Sequence, residues 1–109
     1  MANYVTITLD TTGPTAPSIV FDAGAYVNNQ ITNVSLGASG GDVSQMKIWG
    51  SVDPAYDAQI QTTEGAAQWI SFAADKQIKL AAGDGSKTVY AKFRDDVYNE
   101  SAQASDTIT

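Results

Sequence analysis

The sequence predicts an all-β fold: one antiparallel β-sandwich of about seven to eight strands, spanning residues 1–109. Three observations carry that reading. Short stretches of period-two alternation recur along the chain, clusters of Gly, Asn, Asp and Pro separate them, and no stretch has the spacing of an amphipathic helix.

Each element follows from its own pattern. "YVTITLD" sets Val5, Ile7 and Leu9 against Thr6, Thr8 and Asp10, a strand with one buried face. Residues 10–18 hold two prolines and a glycine and read as a linker-like lead-in, because proline cannot donate to a ladder. "SIVFD" is a short apolar run, "AGAYVNNQ" a turn, and "ITNVSLGAS" a strand with Ile31, Val34 and Leu36 toward the core. After a turn at Gly40-Gly41-Asp42, "SQMKIWG" alternates Met46 and Ile48 inward against Lys47 and Trp49 outward. Residues 50–68 lose the pattern and read as a long loop with at most one helical turn. "WISFAADKQIKLAAGDG" supplies one or two strands, with Ile78 and Leu80 inward around Lys79. "KTVYAKFRDD" is the clearest strand, Val89, Ala91 and Phe93 facing one way and Tyr90, Lys92 and Arg94 the other. "ASDTIT" closes the chain as another strand.

Composition then limits function. With no histidine and no cysteine, Ser-His-Asp and Cys-His catalysis, imidazole or thiolate zinc sites and disulfides are excluded. Six Lys plus Arg against twelve Asp plus Glu leave a net charge of −6, the wrong sign for a nucleic-acid binder. No apolar run approaches the roughly 20 residues of a membrane-spanning helix. "MANYVTITLD" lacks the basic and apolar regions of a secretory signal.

Two motifs carry a resemblance. "LDTTGPTAPSIV" resembles the "LDTTAP" linker of bacterial and phage immunoglobulin-like repeats, and "LAAGDGSKTVYAKFRDDVYNES" resembles their final hairpin. "VTIT" at 5–8 nearly recurs as "DTIT" at 106–109, the four residues that precede the linker in such repeats. "SQMKIWG" and the later tryptophan are similar to versions found in phage virion proteins. Residues 50–68 have no counterpart, and Tyr98 stands where glycine usually precedes Asn99. Glycine accepts positive φ cheaply and tyrosine does not, so the expectation is that Asn99 takes that conformation or the turn changes shape.

The resemblance implies a non-catalytic structural role: a capsid-decoration, tail-associated or fibre-like component of a bacteriophage virion. Its partners would be other virion proteins, copies of itself or a host-surface glycan. Cofactors, nucleic acid and membrane have no place in this reading. The alternative is a module of a bacterial cell-surface adhesin or carbohydrate-binding protein, which needs export; the missing signal favours the virion. Strands Tyr4–Leu9 and Ser105–Thr109 are expected docking edges.

Each candidate site has a plain structural role as its rival. Asp84, Asp95, Asp96 and Glu100 offer oxygens of the kind calcium takes, although no EF-hand pattern is present; the simpler reading is turn formation and capping with the charges in solvent. Adjacent Asp95 and Asp96 on a strand point to opposite faces, which argues against a glycosidase pair. Trp49, Tyr56, Trp69 and Tyr98 form the candidate binding surface, aromatic faces suited to sugars, with core or loop packing as the rival for Trp49. Tyr90 fits a tyrosine corner, its hydroxyl bonding back to the preceding loop.

Overall fold

The computed structural model describes residues 13–24, 26–40 and 42–109. Among them the chain forms seven strands: β1 (Thr15–Phe21), β2 (Ile31–Ser39), β3 (Val43–Gly50), β4 (Ile70–Ser71), β5 (Asp75–Lys79), β6 (Lys87–Asp95) and β7 (Ala104–Ile108). The strand expected over Tyr4–Leu9 lies outside the described residues. All pairings are antiparallel, in a three-stranded sheet β1-β2-β5 and a four-stranded sheet β4-β3-β6-β7. The order β3-β6-β7 in one sheet, with the chain crossing between sheets from β2 to β3, from β4 to β5 and from β5 to β6, is an immunoglobulin-like arrangement.

Alternation sets which residues meet between the sheets. β6 buries Val89, Ala91 and Phe93. β3 lays Met46 opposite Phe93 and Ile48 opposite Ala91. Ile19 and Phe21 of β1, Val34 and Leu36 of β2, and Ile78 of β5 with Leu80 just beyond it close the core from the other sheet. The Phe72 and Phe93 rings meet edge-on, centroids 5.9 Å apart, a favoured aromatic geometry. Each such side chain contributes about 1.5–3 kcal/mol by leaving water.

Three expectations about these elements change. The lead-in does not extend to Ser18: β1 begins at Thr15, and one extra residue between Thr15 and Ser18 makes a bulge with Ala16 at φ 47°. A bulge is where a strand tolerates proline, which is how Pro17 is accommodated. Ile31 is 44% exposed, because Thr32, Val34 and Leu36 are the inward set and Ile31 falls in the opposite phase. Trp49 keeps its outward phase yet is only 7% exposed, because the sheet's outer surface is covered there.

The cover is the 51–68 loop. It leaves β3 at Gly50, whose φ of 135° and close approach to the Thr88 carbonyl oxygen, which any added Cβ would overlap, admit only glycine. The loop returns alongside β3 through a parallel bridge between Trp49 and Gln61. Asp53 and Asp57 tie its turns by accepting from the amides of Ala55 and Gln59. A single i→i+4 turn, Ala67 N–H to Thr63 oxygen, is its only helical feature among the described residues. Val52 and Ile60 drop into the core and anchor it.

Candidate functional site

The outer face of the four-stranded sheet gathers most of the chemistry that the core does not use. Period two puts Gln45, Lys47 and Trp49 of β3 on that face, opposite Arg94, Lys92 and Tyr90 of β6. Lys47 directly opposes Lys92, a like-charge pairing that destabilises a sheet unless something offsets it. For Lys92 the offset is Glu64 at 3.0 Å and Glu100 at 3.8 Å. Lys47 and Arg94 have no carboxylate partner among the described residues; both instead lie against the Trp69 ring, at 4.8 and 4.4 Å from its centroid. Arg94 also lies 4.3 Å from the Tyr98 ring, and its Nε donates to Gln45 Oε1 at 2.6 Å. One guanidinium is thus held by two aromatic rings and an amide. Such cation–π contacts contribute about 0.5–1 kcal/mol each at exposed sites.

Tyr98 reaches Arg94 through an unusual turn. Its amide donates to the Asp95 carbonyl at 3.2 Å, closing a four-residue turn, and Tyr98 itself sits at φ 69°. That is the left-handed position glycine fills after such a turn, so it is tyrosine, not Asn99, that takes the positive φ. The conformation costs a non-glycine residue about 1–2 kcal/mol. Asp95 holds it. Its side chain is fully buried, with Oδ1 accepting from the amides of Val97 at 3.0 Å and Asn99 at 2.8 Å, and Oδ2 from Asn99 Nδ2 at 3.1 Å. The Asp95 amide donates to the Asn99 oxygen, and Ser101 Oγ accepts from Phe93 N–H while donating to the Ala102 carbonyl.

The four carboxylates considered for calcium are not brought together. Asp84 precedes β6 and Asp95 ends it, so roughly 30 Å of strand separates them at about 3.3 Å per residue. Asp95 is buried rather than in solvent, its oxygens turned to the loop's own amides; Asp96 points out; Glu100 faces Lys92. Among the described residues no group of three or more His, Cys, Asp or Glu is arranged to hold a metal.

The aromatic candidates divide three ways. Trp69 and Tyr98 share Arg94. Trp49 is packed under the loop, stacked on Tyr90 with centroids 5.8 Å apart and planes 18° from parallel. Tyr56 lies elsewhere, its hydroxyl donating to Gln77 of β5 at 3.2 Å. Tyr90 therefore makes a ring stack in place of a tyrosine corner, and among the described residues its hydroxyl bonds nothing within the chain. Arg94, Lys47 and Gln45 are the members that sequence reasoning missed. The available signal was that Arg94 is the chain's single arginine and alternates outward beside Lys92.

A groove of about 450 Å³ borders this cluster, walled by Gln45, Gln59, Trp69, Ser71 and Lys76. A second, of about 370 Å³, lies by the Gly83-Asp84-Gly85 turn between Asn28–Gln30 and Thr109. The β7 edge expected to dock partners is partly engaged: Phe21 N–H donates to Asp106 Oδ2 at 2.9 Å, and Val27 N–H to the Thr109 oxygen at 3.0 Å.

No family model matches the sequence, and no curated protein does. Among solved structures, the chain is similar to the PKD domain of an M14-like peptidase from Thermoplasmatales archaeon SCGC AB-540-F20. The TM-score is 0.62 at 18% identity, over 91% of this chain and 96% of that one. At that identity the likeness bears on fold alone, and the fold it supports is the PKD-like, immunoglobulin-like sandwich.

Proposed function

We propose that the chain is a non-catalytic structural module of a bacteriophage virion, a capsid-decoration, tail-associated or fibre-like unit. The observation that carries the reading is the pair of motifs "LDTTGPTAPSIV" and "LAAGDGSKTVYAKFRDDVYNES", similar to the linker and last hairpin of phage and bacterial immunoglobulin-like repeats. Function in such a module is presentation: the core fixes the strands, and loops and sheet faces meet other virion proteins, further copies or the host surface. With neither histidine nor cysteine, the chain lacks the most frequent general base and the most nucleophilic side chain. The second reading, a module of a bacterial surface adhesin or carbohydrate-binding protein, is favoured by the Trp69–Arg94–Tyr98 cluster beside a polar groove.

Quantitative mass spectrometry separates the two. Particles purified from cultures carrying the gene should contain the chain in fixed ratio to the major capsid or tail proteins. Recovery in the cell-envelope fraction, with none in the particles, would overturn the virion reading.

A further inference from the structure

Twelve acidic residues stand against six basic ones, yet Arg94 has been given rings and an amide where a carboxylate would be the usual partner. The arrangement has a chemical consequence. Guanidinium carries five N–H donors in a planar fork suited to carboxylate. Here Nε is spent on Gln45, and among the described residues the terminal Nη groups donate to no protein atom. The rings hold the fork in place without neutralising it. Lys47, on the same face and against the same Trp69, adds a second cation with no acidic partner among the described residues.

The neighbouring groove narrows the ligand. Gln45 both holds Arg94 and lines the groove, where the Gln59 amide and the Ser71 hydroxyl supply neutral donors and acceptors. Lys76 lines it too but is engaged by Asp57 at 3.4 Å. The groove is open along the surface, which suits one unit of an extended chain rather than an engulfed ligand. Neutral amides and a hydroxyl match sugar hydroxyls, and the half-buried fork, its Nη groups donating to no protein atom among the described residues, matches a carboxylate.

We propose that Arg94 and Lys47, with the groove beside Trp69, bind the carboxylate of an acidic saccharide, a uronic-acid unit in a glycan chain. Tyr98 and Asp95 are positioning residues: Asp95 fixes the turn, and the turn sets the Tyr98 ring on Arg94. The site does not depend on whether the module sits on a virion or a cell surface.

The test is an NMR titration of the whole chain with hexagalacturonate, with neutral maltohexaose and a single-stranded oligonucleotide as parallel probes. Saturable shifts are expected at the Trp69 indole and at the Arg94 Nε–H with hexagalacturonate, while the buried Trp49 indole stays in place. Arg94→Gln should weaken binding about tenfold or more, the loss of a charge-assisted contact. Lys47→Gln, on the same face but outside the Tyr98 turn, should weaken it several-fold. In both variants an unchanged Trp49 indole reports an intact fold. No shift with hexagalacturonate, equal binding of maltohexaose, tighter binding of the oligonucleotide, or full affinity in folded Lys47→Gln would each overturn the proposal.

Discussion

The two ends of β6 solve one backbone problem by opposite means. At its start, Gly83 and Gly85 take positive φ, 103° and 109°, in an exposed turn where an added Cβ would meet nothing within 4 Å. At its end the residue with positive φ is Tyr98, 67% exposed, and a fully buried aspartate is committed to holding the loop around it. Glycine suffices when a turn has only to reverse the chain. A tyrosine kept in a strained conformation by a buried carboxylate implies that its ring is needed where it stands, and it stands on Arg94.

Substitutions at the two ends should therefore differ in kind. The largest effect is expected for Asp95→Ala, which leaves the amides of Val97 and Asn99 without their acceptor. About 3 kcal/mol of stability should be lost, read by urea denaturation. A loss under about 1 kcal/mol would mean that the loop does not rely on this carboxylate. Gly85→Ala should cost about 1 kcal/mol, because the left-handed penalty of an alanine outweighs its smaller entropy in the unfolded chain.

Tyr98→Gly should fall within about 0.5 kcal/mol of wild type. Relief of the strained φ is offset by the lost ring contact and by the greater entropy of glycine in the unfolded chain. A clear stabilisation, seen as a raised melting temperature, would show that the ring contributes nothing to the fold. Asp84→Ala should change least, also within about 0.5 kcal/mol, since this exposed side chain belongs to a turn that its glycines form. Loss of several kcal/mol there would erase the contrast between the two ends.

The same contrast explains what could be read in advance. β6 was legible because Val89, Ala91 and Phe93 alternate with polar residues, and that local pattern is the burial pattern. The Gly83-Asp84-Gly85 turn was legible because glycine announces it. For Asp95 the capping of the next turn was legible and the burial was not, since a charged residue in a polar stretch reads as solvated until its amide donors, two and four residues along, are placed. Trp49 kept its predicted outward phase, and of its two readings, open surface or loop packing, the structure shows loop packing; the sequence left the choice open because the loop carries no pattern. Arg94 and Trp69 are 25 residues apart in number, so only the crossing of β4 beside β3 brings them together. Tyr98 showed itself only as a departure from glycine, which marked the position but not its purpose.

Because Arg94 is the only arginine, its Nε–H gives a single resonance that reports directly on whether the Asp95 turn holds this side chain. In the wild type that signal should be sharp, slow to exchange with water and displaced by the ring currents of Trp69 and Tyr98. In Tyr98→Gly it should broaden and move toward the position of a solvated arginine. A wild-type signal already at that position, exchanging freely and unchanged by the substitution, would contradict the account.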